Sequence, residues 1–257
     1  MYAEQYDANT AADKGGIPYV TDIDTGVENK KLSLQEVYDK ILEDCSDELI
    51  ALLPTNNDVY RANKAFGYAV RSKVLMQMKN YKDALPYALK ALELNGTIED
   101  RSTIKLDDYW YLEQEYQGNY MVMGSSTGLG TKAALSKETT AMFDSNNYNV
   151  LGEKSGWSIE QGNTNSGDDT DCYYGWTAST RAAVNQGGIN SDRMYYTAAE
   201  CMIRTGEIEK GLQYIDKVRQ YRIKNYTPLA DKYTSSMTEE QAMALLQPAK
   251  WVECIGT

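Results

Sequence analysis

The sequence pattern predicts a helical hairpin twice in this chain, once over residues 61–96 and again over residues 191–222. Four apolar positions recur at a constant separation of 127 residues: Tyr68, Leu75, Leu85 and Tyr87 correspond to Tyr195, Met202, Leu212 and Tyr214. Since each copy is apolar along one helical face only, each must bury that face against a neighbour. The chain is therefore predicted to contain two related helix pairs that bracket a long insertion.

The second helix of the first copy is similar to the second helix of a tetratricopeptide repeat. Its small residues Ala84, Ala88 and Ala91 have a helical spacing that lets another helix approach closely. Repeats of that class follow one another every ~34 residues, because a single pair cannot bury its apolar face alone. A separation of 127 residues shows that the two copies are not in tandem.

Helix signals define the first helical block, residues 33–96. Ser33 and Glu36 have the spacing of a capping box, in which each side chain satisfies a free amide at a helix start. Apolar residues then recur at helical spacing as far as Leu49, and Pro54 stops the run. These signals predict one helix over this stretch.

Composition limits the function classes that are open to the chain. With 257 residues and 42% hydrophobic content it can bury a substantial core. A net charge of −11 argues against nucleic acid as a partner, because a binder needs a basic surface to displace counterions from phosphates. No apolar run reaches the ~18 residues of a membrane span, and the first residues do not read as a signal peptide. The sequence alone leaves a cytoplasmic protein or a missing leader as the alternatives.

Cysteine and histidine usage bears on metals and catalysis. No histidine is present, which excludes imidazole-based triads and the commonest zinc ligand. Four cysteines are far apart and lack the spacing of metal ligands: Cys45, Cys172, Cys201 and Cys254. Cys45 and Cys201 are predicted to be buried small apolar residues rather than disulfide partners. No cofactor and no metal site are predicted.

The insertion, residues 97–190, is rich in aromatic residues among Gly, Ser, Asn, Thr and Asp. Aromatic rings beside amides and carboxylates suit a sugar site, since a ring stacks on a pyranose while the polar groups bind its hydroxyls. The alternative is that these rings pack the loops onto the helices. The residues predicted to contact a ligand are Trp157, Trp176, Tyr174, Tyr173 and Trp110.

Acidic residues leave two further hypotheses. Residues 22–26 and 168–171 present alternating carboxylates but lack the glycine and terminal glutamate of a calcium-binding EF-hand, so solvated turns are favoured. A glycoside hydrolase would need two carboxyl groups about 5 to 9.5 Å apart. With 37 acidic residues in the chain, only the tertiary structure can identify such a pair.

Several segments together resemble the SusD/RagB-like outer-membrane nutrient-binding lipoproteins. The upstream segments are GIPYV at 16–20, SLQEVYDKI at 33–41, LLP at 52–54, and RANKA at 61–65 with its continuation through Tyr81 to Leu85. The downstream segments are DRMYYTAAE at 192–200, RTG at 204–206 and IDKVR at 215–219. Their order and spacing carry the resemblance, which covers most of the chain outside the insertion.

The resemblance implies an all-α fold of tetratricopeptide-like helix pairs with a long, irregular, loop-rich insertion. It also implies a non-catalytic protein that binds an oligosaccharide on the extracellular face of the cell outer membrane. Such proteins are held there by a lipid anchor and dock on a TonB-dependent, SusC-like transporter. A tetratricopeptide-type scaffold that binds other proteins is the alternative.

Relative to that family the chain resembles a fragment. Members are about twice as long, and the leader, the lipid-bearing cysteine and the first helices are not found before Met1. The segment LLQPAKWVEC at 245–254 is similar to the start of a further family segment. We therefore expect one partial SusD-like domain over residues 1–257, with helical blocks at 33–96 and 191–257 on either side of the insertion at 97–190.

Overall fold

The computed structural model describes residues 4–20, 23–24, 26, 28, 30–56, 61–103, 120–122, 132–151, 157–160, 172–177 and 188–254. The helices are α1 Leu34–Asp44, α2 Asp47–Leu52, α3 Lys64–Gln77, α4 Tyr81–Leu94, α5 Lys137–Ala141, α6 Tyr148–Leu151, α7 Ser191–Arg204, α8 Ile208–Arg219 and α9 Glu239–Glu253. The strands are β1 Gly15–Pro18, β2 Lys31–Ser33, β3 Tyr120–Val122, β4 Lys132–Ser136, β5 Trp157–Glu160, β6 Cys172–Thr177 and β7 Ile189–Asn190.

The single helix predicted after Ser33 is in fact two helices. The chain leaves α1 at Cys45 and starts α2 at Asp47, because the Ser46 side chain accepts a hydrogen bond from the amide of Leu49 and so caps a new helix. The predicted capping box is confirmed at the start of α1. The Ser33 hydroxyl accepts from the Glu36 amide at 3.1 Å, and the Glu36 carboxylate accepts from the Ser33 amide at 2.7 Å.

Replacing Ser33 by alanine is expected to lower the free energy of unfolding by about 1 kcal/mol, because the amide of Glu36 loses its acceptor. Urea unfolding followed by circular dichroism would measure the change. Glu36→Gln is the matched control, since a glutamine oxygen still accepts from the Ser33 amide. A glutamine variant as unstable as the alanine variant would contradict this account of the cap.

The two hairpins predicted from the repeat are α3–α4 and α7–α8. In the first, the rings of Tyr68 and Tyr87 lie 6.2 Å apart, and the ammonium of Lys90 is 5.1 Å from each ring centre. The second hairpin repeats this cluster 127 residues later, with Tyr195, Tyr214 and Lys217. Both hairpins turn through a left-handed residue at the same register position, Lys79 with φ 60° and Gly206 with φ 92°.

The hairpins pack directly on one another through α4 and α7. Ala88 and Ala91 of α4 are fully buried together with Met194 and Ala198 of α7, which agrees with the close approach expected of the small residues. The second hairpin is also covered by α9, so that α7, α8 and α9 enclose the largest apolar cluster. Gly211 is required in that cluster, because a Cβ there would lie 2.5 Å from Ile203 and 2.9 Å from the Ala199 carbonyl oxygen.

A buried ion network joins the segment after α4 to the second hairpin and to α9. Arg222 donates to Asp192 at 2.8 Å and to both carboxylate oxygens of Glu253 at 3.0 Å. Arg101 donates to Glu99 at 3.0 Å and to Glu253 at 3.1 Å. Arg101, Asp192, Arg222 and Glu253 are each at most 5% exposed. The network therefore holds the segment around Glu99 and Arg101, which follows the first hairpin, against the start of α7 and the end of α9.

Cys45 and Cys201 are buried free thiols, as predicted. Burial raises the pKa of Cys201 to about 12, so this thiol stays protonated. Cys254 is exposed, and the side chain of Cys172 lies outside the described part of the structure. None of the helices in the described ranges has the length and apolar character that crossing a bilayer requires.

Candidate functional site

Four of the five aromatic residues predicted to contact a ligand lie on two neighbouring β-strands. Trp157 begins β5, while Tyr173, Tyr174 and Trp176 belong to β6. Strand β6 is the centre of a three-stranded antiparallel sheet with the order β4-β6-β5. The fifth residue, Trp110, lies outside the described residues. The prediction of an irregular insertion thus missed this sheet.

The backbone register assigns these residues to the two faces of the sheet. Ser158 pairs with Trp176 and Glu160 with Tyr174, whereas Trp157 pairs with Thr177. Because residues two apart on a strand share a face, and directly paired residues do too, Tyr174 and Trp176 belong to one face. By the same rule Trp157 and Tyr173 belong to the other. The sheet therefore places the four residues on adjacent strands, but two on each face and not on one surface.

Hydrogen bonds tie the insertion to both hairpins. The side-chain amide of Asn63, which caps α3, donates to the Met121 carbonyl of β3 at 2.7 Å. Next to α6, the Tyr148 amide donates to the Arg222 carbonyl, and the Lys224 amide donates to the Asn146 carbonyl, each at 2.9 Å. The helices α5 and α6 in turn contact the strands of the sheet. The helix pairs thus act as a support that positions the insertion.

A cavity lies between α3, α7 and α9. This cationic cavity has a volume of about 490 Å³, within the range of small-molecule sites. Buried Tyr196 and Thr197 of α7 form part of its wall, together with Met76 and Tyr81 of the first hairpin. The cations that line it are Lys73, Lys79, Arg193, Arg204 and Lys250.

Glu200 is the one carboxylate among the described residues that line the cationic cavity. It accepts from Lys250 at 2.8 Å and from Arg204 at 3.1 Å. Burial on its own would raise the pKa of Glu200, but Lys250 and Arg204 hold that pKa below its usual value. Glu200 is therefore ionised at neutral pH and neutralises part of the cationic wall.

An apolar groove adjoins the cationic cavity and shares Glu200, Lys250 and Cys254 with it. The groove has a volume of about 810 Å³ and is lined mainly by residues of α9, together with Met142. Trp251 lines it and is 57% exposed, although tryptophan is ordinarily well buried. A flat apolar ring and a cluster of cations therefore lie side by side.

Metal and glycosidase hypotheses can be compared with the described residues. Within these ranges no group of three or more acidic or cysteine side chains could hold a metal ion. In the first acidic loop, Asp24 accepts from the Gly26 amide at 2.8 Å, a local turn contact, whereas Asp22 and the second loop, residues 168–171, lie outside the described residues. Glu200 is the single described carboxylate on the cavity and on the groove, so the described residues supply no carboxyl pair of a glycosidase at either place.

Solved structures with the same architecture come from several Bacteroides species. A SusD superfamily protein from Bacteroides thetaiotaomicron superposes with a TM-score of 0.68 at 15% identity, over 99% of this chain and 61% of that one. A SusD-like carbohydrate binding protein from Bacteroides vulgatus gives 0.68 at 10% identity, over 99% and 57%. Surface glycan-binding protein A from Bacteroides uniformis gives 0.61 at 14% identity, over 95% and 60%.

The chain has a SusD-like fold. No protein-family model and no curated protein matches the sequence. The all-α, SusD-like fold that the sequence motifs predicted is confirmed by these superpositions. The chain spans 57% to 61% of the length of the three SusD-like structures.

The cationic cavity in this SusD-like fold was not predicted from the sequence. Arg193, Glu200 and Arg204 lie at helical spacing along α7, which could have indicated a charged helix face. Lys73 and Lys250, however, come from helices that are far apart in the chain. Only the packing of α3 and α9 on either side of α7 places these charges around one cavity.

Proposed function

We propose that this chain is part of a non-catalytic glycan-binding protein. The observation that carries the proposal is the position of Trp157, Tyr173, Tyr174 and Trp176 on adjacent strands of one sheet, within a fold shared with proteins described as glycan binding. Tryptophan and tyrosine rings are the side chains that stack on pyranose rings. Two helix pairs, held together by a buried core and an ion network, support the sheet.

The proposal extends to the setting in which binding takes place. The intact protein would stand on the extracellular face of the outer membrane, held by a lipid anchor. It would deliver oligosaccharides to a TonB-dependent, SusC-like transporter, with the helix pairs on the transporter side and the insertion facing the glycan. These features rest on the resemblance of the sequence motifs and on the shared fold.

Calorimetric titration with oligosaccharides from a glycan array would test the proposal. Trp157→Ala and Trp176→Ala are each expected to weaken binding by about 1 kcal/mol or more, because each removes one stacking face. The register assigns these residues to opposite faces of the sheet, so the two variants together report which face binds the sugar. Tyr19→Ala, at the end of the β1–β2 hairpin, is the aromatic control and should bind like the unaltered protein.

Unchanged affinity in both tryptophan variants would overturn the assignment of the site to the sheet. Chromatography of the oligosaccharide after incubation gives the second readout. The proposal expects the sugar to be recovered intact, and release of shorter products would instead identify a glycosidase.

A further inference from the structure

The sheet of the insertion alternates between apolar and polar residues along both of its outer strands. Strand β5 reads WSIE and strand β4 reads KAALS, so every second residue is apolar in each, with Ala134 as the exception among the positions between. This alternation is typical of an antiparallel sheet that packs one face on the protein and turns the other to water. The polar residues are Lys132 and Ser136 on β4 and Ser158 and Glu160 on β5.

The register places these polar residues on one face, on either side of the central strand β6. Lys132 and Ser158 both pair directly with Trp176, and Glu160 pairs with Tyr174. Because directly paired residues share a face, as do residues two apart on a strand, these residues define a polar face of the sheet. The other, apolar face contains Ala133, Leu135, Trp157, Ile159 and Tyr173.

Tyr174 and Trp176 are the aromatic residues of the polar face. The Cβ atoms of directly paired residues are about 4.5–5.5 Å apart, so Trp176 has Lys132 at that distance on one side and Ser158 on the other. Glu160 flanks Tyr174 in the same way. A sugar site needs this combination, because a pyranose stacks on an aromatic ring while its hydroxyls bind polar groups.

The charges on the polar face favour a neutral ligand. Lys132 and Glu160 carry opposite charges and belong to the two outer strands, which lie about 10 Å apart across β6. An anionic sugar would therefore meet a carboxylate as well as an ammonium group. The whole chain carries a net charge of −11, which repels a polyanionic glycan. Uncharged hydroxyls can donate to Glu160 and accept from Lys132.

We propose that the polar face of the sheet is the sugar-binding surface and that it takes a neutral oligosaccharide. Trp176 and Tyr174 would stack on its rings, while Lys132, Ser158 and Glu160 would bind its hydroxyls. This assignment rests on the proposed function and deepens it. It selects one face of the sheet, adds three polar residues to the site and gives the charge class of the ligand.

Calorimetry on the 257-residue chain would test the charge class with four probes: cellohexaose, xylohexaose, mannohexaose and hexagalacturonate. We expect at least one of the neutral hexasaccharides to bind about 10-fold more tightly than hexagalacturonate. Its affinity should stay constant as salt is raised from about 0.05 M to about 0.5 M, because screening does not act on an uncharged ligand.

Two matched variants test the polar residues. Ser158→Ala and Thr177→Val each remove one hydroxyl, the first from the polar face and the second from the apolar face. Ser158→Ala is expected to weaken binding of the neutral hexasaccharide about 3-fold, the effect of one hydrogen bond, whereas Thr177→Val should bind like the unaltered protein. Glu160→Ala should weaken binding about 5-fold or more, and Glu160→Gln less, because the amide oxygen still accepts from a hydroxyl.

The two tryptophan variants separate stacking from packing. Trp176→Ala is expected to weaken binding about 5-fold or more and to leave the midpoint of thermal unfolding unchanged, because it removes a ring from the polar face. Trp157→Ala is expected to lower that midpoint, since it removes a large ring from the apolar face, and to weaken binding only as far as the sheet loosens. Differential scanning calorimetry of both variants gives the midpoints.

The outcomes separate this inference from the proposed function. Loss of affinity in Trp157→Ala at an unchanged midpoint, with no loss in Trp176→Ala, would place the sugar on the apolar face and overturn this inference alone. Equal effects of Ser158→Ala and Thr177→Val would also overturn it. Preference for hexagalacturonate, or no binding of any neutral hexasaccharide, would overturn the charge class. Binding that is unchanged in both tryptophan variants would reject the sheet and with it the site of the proposed function.

Discussion

Replacing Arg222 by methionine is expected to lower the free energy of unfolding by about 3–5 kcal/mol, the usual result of removing one partner from a buried ion network. Arg222 donates to Asp192 at 2.8 Å and to both oxygens of Glu253, and all three residues are buried. Without the guanidinium, two buried carboxylates lose their main donor. Urea unfolding at neutral pH would measure the loss, with Lys232→Met as the exposed control.

The pH dependence of the stability of Arg222→Met tests the cause of this loss. Burial by itself would raise the pKa of Glu253, but Arg101 and Arg222 hold that pKa below its ordinary value. A carboxyl group with a lowered pKa in the folded state stabilises the fold above its unfolded pKa of about 4.3, and this contribution is lost as the pH falls through the folded pKa. Removal of Arg222 leaves Arg101 to oppose the effect of burial, so the pKa of Glu253 rises and its protonation relieves part of the destabilisation of the variant.

The difference in stability between Arg222→Met and the unaltered protein should therefore shrink between pH 7 and pH 4. A loss below about 1 kcal/mol at pH 7 would contradict the view that the network is a tightly coupled support. A difference that grows on acidification would contradict the assigned role of Glu253.

Replacing Leu212 by alanine is expected to cost about 2–5 kcal/mol, the range for deletion of a fully buried leucine side chain. Leu212 is 0% exposed and lies in the apolar cluster between α7, α8 and α9. Its counterpart in the first hairpin, Leu85, is half-buried. Leu85→Ala is the matched comparison and should cost less than about 2 kcal/mol, because less apolar surface returns to water.

Denaturant unfolding of the two leucine variants gives the comparison directly. Equal losses would mean that the two hairpins contribute equally to the core, contrary to the cover that α9 provides for the second hairpin alone. A smaller loss of stability for Leu212→Ala than for Leu85→Ala would mean that the first hairpin, and not the second, contributes more to the core.

Local features were predictable because they depend on residues close together in the chain. The capping box needs only Ser33 and Glu36, three positions apart. Ser46 was missed as a cap, although serine is among the preferred residues there, because the apolar spacing continues across it. Burial of Cys45 and Cys201 followed from the apolar helix faces on which they lie.

The sheet of the insertion was not predictable from the same kind of pattern. Strand β6 reads CYYGWT, with aromatic residues at positions that belong to both faces. Such a strand shows neither the two-residue alternation of a half-buried strand nor the helical period. Residue chemistry selected Trp157, Tyr173, Tyr174 and Trp176, but their division between two faces required the pairing of β5 with β6.

The sequence by itself determined the helix pairs, their repeat at 127 residues and their resemblance to SusD-like proteins, since helix formation and apolar spacing act over a few residues. The tertiary structure decided which charges meet. Arg101 and Glu253 are 152 residues apart and form a buried ion pair, and Lys73 and Lys250 share a cavity only because α3 and α9 both pack beside α7. Burial and charge pairing depend on which elements come together, and no local pattern in the chain specifies that.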